Sequence, residues 1–261
     1  MRQKIGRWII PVLGGLAFVY LLVPIVYIFA FSFNDAGRTN LTWRGFTLEN
    51  WQNPCGAPQI CEALGNSLQV GVIATIVATI LGTCIALGLV RYKFKFRNTA
   101  DLLIILPLAT PEVVLGASLL AQFLNLGWDL GFVTVVIAHI VFCMAFVVVT
   151  VRARVSGLDS RLEEAAGDLY ASPFQTFWKV TFPLLLPGIV SAALLSFAMS
   201  FDDFIITNFV SGDTSTFPKF VYVSYLRGIP AQANVIGFSL FVIAVLLVVV
   251  GQRVASSRTS K

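Results

Sequence analysis

Long apolar segments alternate with short polar connections along the chain, and six of these segments reach the length of a membrane span. A hydrocarbon core about 30 Å thick takes about 20 helical residues to cross. The predicted spans lie near residues 8–31, 67–90, 102–125, 132–151, 186–209 and 234–251. This pattern predicts an all-α integral membrane protein with a single transmembrane domain over 1–261. The first segment is too long for a signal-peptide core and lacks a small-residue cleavage site, so we expect it to remain as an anchor.

Composition and charge support the same class. Hydrophobic residues make up 57% of the chain and charged residues 12%, against about 25% charged in soluble proteins. All but four of the 18 basic residues lie before the first predicted span, in the second and fourth connections, or after the last span. Because positively charged loops stay in the cytoplasm, both termini are expected there. This bias explains the net charge of +5 without a nucleic acid partner.

The third predicted span is interrupted by two prolines. Pro107 and Pro111 lack the N–H groups that would bond the carbonyls four residues earlier. Carbonyls freed at membrane depth are tolerated only against protein or water. Glu112 follows at once, and a carboxylate beside a broken helix favours a lined cavity. The alternative is a hydrogen bond between neighbouring helices.

Two adjacent carboxylates lie inside the fifth predicted span, in "SFDDFIITNF". Each of Asp202 and Asp203 costs about 2.5 to 3.5 kcal/mol to insert at the centre of a membrane helix. Continued helical spacing would place four polar residues on one stripe: Ser196, Ser200, Asp203 and Thr207. The prediction is therefore that Asp203 faces the substrate pathway, with Asp202 angled toward a neighbouring helix or contacting the ligand from the side.

The six predicted spans contain no lysine or arginine that could pair with these acids. Their partner would then be another subunit, a proton or a cationic substrate, unless the pair is simply hydrated at the outer mouth. A cation explains more, since adjacent carboxylates attract an ammonium group. Together with Glu112, the stripe and Asp202 are the predicted substrate-pathway residues.

Cysteine and histidine usage predicts no metal site. Cys55 and Cys61 lie in the first outside loop, where an oxidising compartment allows a disulfide but free thiols remain an alternative. Cys84 and Cys143 lie within predicted spans and are expected to be apolar filler. His139, the single histidine, is expected to be a hydrogen-bonded packing residue in the fourth span.

The connection over residues 152–185 is too long for a turn and carries two helix-start signals. Ser160 with Glu163 forms one candidate capping box, and Ser172 with Gln175 forms a second, which has Pro173 at the first helical position. Two short helices joined near Tyr170 are therefore predicted at the cytoplasmic surface. They could dock a partner or lie on lipid headgroups, and the acidic residues of the first helix favour a partner, because an anionic leaflet would repel them.

The same connection resembles a known motif. "EEAAGDLYASPFQTFWKVTFP" is similar to the EAA loop of permease subunits of ATP-binding-cassette (ABC) importers. The resemblance implies coupling helices that dock on an ATPase subunit and involve seven residues of this chain: Glu163, Glu164, Ala165, Ala166, Asp168, Tyr170 and Pro183. Tyr170 stands where that family usually has glycine, which suits a left-handed turn.

A second resemblance extends from about residue 60 to the end. "LSFAMSFDDFIITNFVSG" and the segment preceding the EAA loop resemble the second permease of spermidine/putrescine importers, within the type I ABC importers. The resemblance implies a second homologous permease, two ATPase subunits and an extracytoplasmic binding protein in a bacterial cytoplasmic membrane.

The expected function is thus polyamine import by a non-enzymatic permease subunit. The sequence contains no G-x-x-x-x-G-K-[ST] phosphate cradle, so ATP and Mg are expected on the partner ATPase and no cofactor on this chain. The alternatives are a permease for another small solute and a proton-coupled secondary transporter.

Overall fold

The structure is a computed structural model, and it describes residues 2–37, 39–159 and 161–259, with side chains described from residue 10 to residue 249 within those ranges. Ser160, one half of the first predicted capping box, lies outside the described residues. The described chain is helical apart from one isolated β-bridge between Asn34 and Phe46. Its helices are α1 (Arg2–Phe31), α2 (Glu49–Gln52), α3 (Ile60–Arg91), α4 (Arg97–Ala109), α5 (Glu112–Asn125), α6 (Phe132–Ser156), α7 (Arg161–Asp168), α8 (Pro173–Thr176), α9 (Phe182–Asp202), α10 (Ile205–Val210), α11 (Phe217–Arg227) and α12 (Ala231–Thr259).

The predicted set of apolar spans is confirmed in outline. Among the described residues, five helical segments are long and apolar enough to cross a membrane, and α4 with α5 makes a sixth when the two are taken as one bent span. The five are Ile10–Phe31, Ile60–Arg91, Phe132–Ser156, Pro173–Asp202 and Ala231–Val249. The bend between α4 and α5 is 110°, so the interruption predicted from the two prolines is a complete break of the helix.

The fifth span differs from its prediction at both ends. It begins at Pro173, inside the connection that was expected to be polar surface, and it ends at Asp202 rather than near residue 209. The second short helix is therefore not separate: α8 continues through a π-helical turn, Phe177–Thr181, into α9. In this turn Phe182 N–H donates to the Phe177 carbonyl five residues back. Such π-bulges accommodate local irregularity within a helix, here directly before Pro183.

The described chain divides into two compact units. The first combines the residues up to Cys61 with those from Phe220 onward, and in it α1 packs against α12. The loop between α1 and α2 is organised by buried Asn34, whose amide donates to Asn40 Oδ1 at 2.7 Å and to the Thr42 carbonyl at 2.8 Å. Cys55 and Cys61 form a disulfide with Cα atoms 5.4 Å apart.

The second unit, Glu62–Lys219, is organised around α6. More than half (56%) of the apolar stretch of α6 is buried inside the protein, and α6 packs against α4, α5, α9 and α10. Gly82 on α3 permits close packing against it, because a Cβ there would lie 2.7 Å from Val147 Cγ1. The small side chain is thus a packing requirement, and α6 is the support on which the candidate site is built.

Candidate functional site

An acidic cavity lies where α5 begins and α9 ends. Its volume is about 560 Å³. It is lined by Glu112, Ala198, Met199, Asp202, Asp203, Phe204 and Ile205. Three of these seven residues are carboxylates and none is basic, so the lining has a net negative charge when the acids are ionised.

The first wall of the cavity is formed at the break between α4 and α5, next to Pro111. Thr110 is extended, with φ −85° and ψ 133°, as expected for a residue before proline. Its hydroxyl donates to the Leu106 carbonyl at 2.7 Å, which gives the end of α4 a hydrogen-bond donor. Helix α5 then starts at Glu112, so this carboxylate lies in a first helical turn, where the helix dipole favours negative charge.

The second wall is a break in the fifth span that was not predicted. The backbone becomes extended at Asp203, with ψ 122°, and helix resumes at Ile205. The Asp203 carboxylate accepts hydrogen bonds from the N–H groups of Ile206 (3.2 Å) and Thr207 (2.9 Å). It therefore caps the start of α10 in the way that Asp caps helices generally.

His139, which lies on α6, contacts residues on both sides of this break. Its Nδ1 lies 2.7 Å from Ser200 Oγ, before the break, and its Nε2 lies 2.9 Å from Thr207 Oγ1, after it. The same Nε2 is 3.3 Å from Asp203 Oδ2, and both side chains are almost completely buried. The hydrogen bonds predicted for His139 are thus confirmed, but their partners, on the acidic segment, were not predicted.

The donors and acceptors in this network follow from the number of protons that each group can donate. Thr207 Oγ1 also lies 3.0 Å from Asp203 Oδ2, and its single hydroxyl proton serves the carboxylate, which can only accept when ionised. Nε2–H of His139 then donates to the Thr207 oxygen, and Nδ1 accepts from the Ser200 hydroxyl. This arrangement gives each of these hydrogen bonds one donor and one acceptor, and the tautomer of His139 is assigned from the hydrogen-bond pattern.

The structure reverses the predicted exposure of the two aspartates. Asp202 is exposed, whereas Asp203 is 7% exposed. Asp203 still lines the cavity, but it is the less exposed of the two. The predicted order of exposure was wrong because it continued the helical step of about 100° per residue through a position where the helix has ended. It was also wrong to expect no intramembrane partner for either acid, since His139 and Thr207 contact Asp203.

The other residues of the predicted stripe do not line the cavity. Ser196, Ser200 and Thr207 are buried, and the last two bind His139. Ser196 contributes its carbonyl, which accepts from Cys143 Sγ at 3.4 Å. The structure therefore brings Glu112 and the aspartate pair together at the cavity and places the predicted hydroxyls behind it.

The hairpin formed by α7 and α8 takes part in a second polar cluster, which the sequence did not reveal. Arg91, at the end of α3, donates to the Glu163 carboxylate, and Thr181 Oγ1 donates to the same carboxylate at 2.5 Å. Thr181 is buried and belongs to the π-helical turn. Of the predicted coupling residues, Glu163 is thus bound within the chain, and Ala166 is partly buried. The others are exposed: Glu164, Ala165, Asp168, Tyr170 and Pro183.

The turn between α7 and α8 has the geometry that its sequence suggested. Ser172 Oγ accepts from Gln175 N–H at 3.3 Å, and Gln175 Oε1 accepts from Ser172 N–H at 3.1 Å, so the second capping box is confirmed. Tyr170 has φ +59°, in the left-handed region that glycine adopts most readily. Its side chain is 97% exposed.

Comparison with known proteins identifies the family. Residues 76–256 match the family described as binding-protein-dependent transport system inner membrane component. The chain belongs to this family. The predictions of a multi-pass membrane protein and of a transport subunit rather than an enzyme are confirmed by this membership.

Two curated relatives cover most of the chain. It is 33% identical over 243 residues to the spermidine/putrescine transport system permease protein PotC of Escherichia coli K12, a match covering 93% of this chain and 92% of PotC. It is 36% identical over 227 residues to the putrescine transport system permease protein PotI of the same strain, covering 84% of this chain and 80% of PotI. The resemblance stated from the sequence is thereby confirmed.

Solved structures share the fold. A chain of a bacterial ABC transporter involved in the import of the acidic polysaccharide alginate aligns with a TM-score of 0.69 at 18% identity, over 95% of this chain and 96% of that chain. A chain of the inward-facing MetNI methionine ABC transporter aligns with a TM-score of 0.63 at 18% identity, over 75% and 94% of the two chains. At this identity the likeness establishes the ABC permease fold alone.

Proposed function

We propose that this chain is a membrane-spanning permease subunit of an ATP-driven importer that carries polyamines such as spermidine and putrescine into the cytoplasm. The observation that carries the proposal is the cavity lined by Glu112, Asp202 and Asp203 without a basic residue. PotC and PotI, the relatives named above, are permeases of spermidine/putrescine and putrescine transport systems, which supports the same substrate class.

The electrostatics of the cavity favour an organic cation over an anion. A carboxylate lining an apolar wall is expensive without a counter-charge, and a passing ammonium group supplies one. The alginate importer has a similar fold, although its substrate is an acidic polysaccharide. Since a fold does not determine the substrate, the selectivity of this chain is assigned to the acidic lining.

The proposal includes the rest of the importer. We expect a second homologous permease, an extracytoplasmic binding protein and two ATPase subunits that hold ATP and Mg. The chain would lie in a bacterial cytoplasmic membrane with both termini in the cytoplasm. The bias of basic residues supports this orientation, and the family description supports dependence on a binding protein.

The hairpin formed by α7 and α8 is the proposed contact with the ATPase. Glu164 and Asp168 of α7 are exposed, as is Tyr170 in the turn, so these side chains are accessible to a partner. Replacing Glu164 with arginine should leave membrane insertion intact and abolish ATP-driven uptake, whereas Glu164→Gln should retain more of it. Normal uptake by the arginine variant would contradict docking through α7.

Substrate selection is tested by uptake of labelled spermidine and putrescine into cells or proteoliposomes that contain the complete importer. Asp202→Asn and Glu112→Gln should each raise the KM for the amine about 10-fold or more, the effect of losing one charged contact. Met199→Leu, a change in the same lining without loss of charge, is the matched control. Equal KM values in all four proteins would refute selection by charge.

A second arm of the experiment separates this function from a proton-coupled transporter. Liposomes that contain only this chain are given an imposed proton gradient and labelled putrescine. The proposed function predicts no concentrative uptake under these conditions. Uptake that follows the gradient would replace the importer with a secondary transporter.

A further inference from the structure

The fifth span breaks without any residue that normally breaks a helix. Residues 200–206, "SFDDFII", contain neither proline nor glycine, yet helix ends at Asp202 and resumes at Ile205. An interrupted helix leaves backbone groups without partners, and these must be satisfied locally when water is absent. The cause of the break is therefore in the side chains around it.

Asp203 is fully engaged in holding this break. Its two oxygens accept from two backbone N–H groups of α10 and from the Thr207 hydroxyl, and His139 Nε2 lies beside them. Its side chain is 2% exposed. A carboxylate with these contacts has little capacity left for a cation in the cavity.

His139 fixes the two helices on either side of the break to α6. Its ring contacts Ser200 of α9 and Thr207 of α10 at the same time. Since Ser200 and Thr207 would be about two turns apart in an uninterrupted helix, a bridge between them defines how far the segment between them is displaced. Asp202 lies in that segment and is exposed at the cavity.

We infer that His139 and Asp203 are positioning residues that hold the break in the fifth span, and that Asp202 and Glu112 are the carboxylates that contact the substrate cation. The substrate part of this inference rests on the proposed function. The opposite assignment, with Asp203 as a direct ligand, requires its buried carboxylate to leave four contacts for each substrate molecule.

Transport kinetics of the complete importer distinguish the two aspartates. Asn caps helices about as well as Asp, so Asp203→Asn should leave the KM for spermidine within about threefold. Asp202→Asn, the matched change one residue earlier, should raise the KM about 10-fold to 100-fold. The inference is overturned if Asp203→Asn raises the KM as much as Asp202→Asn does.

Two variants of His139 separate its contacts. A glutamine amide reaches approximately the position of Nε2, and an asparagine amide approximately that of Nδ1. His139→Gln should therefore keep the contact with Asp203 and Thr207 but lose the one with Ser200, and its maximal rate should stay about 10-fold above that of His139→Asn. Equal activity of the two variants, at any level, would overturn the role of Nε2.

A labelling experiment tests the geometry without relying on transport. In a Cys84→Ser background, Asp202→Cys is treated with a cationic methanethiosulfonate reagent, alone and combined with His139→Gln or His139→Asn. Labelling should remain fast with glutamine and slow down about 10-fold with asparagine. Unchanged labelling with asparagine overturns the positioning role. If the importer with an unchanged Asp202 does not transport polyamines but the labelling rates differ as expected, the proposed function fails and the positioning role stands.

Discussion

Two breaks in helical spans border the acidic cavity, and they are maintained in different ways. Between α4 and α5, Pro111 disfavours helical backbone at Thr110, which is extended, so residues adjacent in the sequence start this break. Between α9 and α10, the break depends on the Asp203 carboxylate and on His139, which is more than sixty residues away in the sequence from Asp203. The first break is local, whereas the second depends on the tertiary fold.

The two breaks therefore present their carboxylates to the cavity in different ways. The proline break presents Glu112 at the start of a helix and requires no partner from elsewhere. The second break presents Asp202 only while α6, α9 and α10 remain packed around His139. If the fifth span moves during transport, its break can rearrange by exchanging hydrogen bonds, but the proline break cannot be removed in this way.

The strongest way to disrupt the second break is to remove its capping carboxylate. Asp203→Leu leaves two backbone N–H groups and the Thr207 hydroxyl without their acceptor, and unsatisfied buried groups cost about 1 to 3 kcal/mol each. We expect the free energy of unfolding to fall by about 3 kcal/mol or more and uptake to be lost. Thermal unfolding of the purified complex measures the change.

The control for this prediction is Asp203→Asn. It retains an oxygen that can cap α10, and should unfold at a temperature much closer to that of the unchanged protein. An equally unstable asparagine variant would show that the negative charge, rather than the cap, maintains the break.

The helices that follow the two breaks, α5 and α10, contact each other at Gly116 of α5, and an added methyl group tests that contact. A Cβ at this position would lie 2.7 Å from Phe209 Cδ2 on α10, too close without displacement. Gly116→Ala should therefore lower the free energy of unfolding by about 1 to 3 kcal/mol, as overpacking does, and reduce uptake. Phe209→Leu in the same chain should restore part of both losses. Additive losses in the double variant would mean that the two side chains do not interact.

A smaller change tests the network behind the second break. Thr207→Val keeps the shape of the side chain but removes the hydroxyl that links His139 Nε2 to Asp203. We expect a loss of about 1 to 2 kcal/mol in the free energy of unfolding, because the Asp203 carboxylate loses a hydroxyl donor and the imidazole loses the nearer of its two acceptors. Thr207→Ser, which keeps the hydroxyl, should lose less when measured in the same thermal unfolding assay. A serine variant less stable than the valine variant would assign Thr207 to packing alone.

The contrast between the breaks also explains what could be predicted from the sequence. Apolar segment lengths indicated the membrane spans, and Pro107 with Pro111 indicated the first break, since proline acts on its immediate neighbours. The Ser172–Gln175 capping box was equally local, and it is present.

The missed features all depend on residues distant in the sequence. The contact of Asp203 with His139 and that of Glu163 with Arg91 each join separate helices. Because the prediction extended helical periodicity through Asp203, it made Asp203 the more exposed acid, whereas the structure exposes Asp202. His139 and the acidic pair were each singled out in the sequence, but the sequence does not show which residues of two separate spans lie side by side.

The smallest expected effect comes from the first break, and it completes the comparison. Pro111→Ala removes a residue that restricts the unfolded chain, an effect of about 0.4 to 1 kcal/mol in the free energy of unfolding. The packing of α4 on α6 and of α5 on α10 remains, so the bend should persist and the KM for spermidine should change little. Pro107 stays in place as a second constraint on α4. A Pro111→Ala loss as large as that of Asp203→Leu, in thermal unfolding and in uptake, would show that Pro111 alone, and not the packing of α4 and α5, maintains the first break.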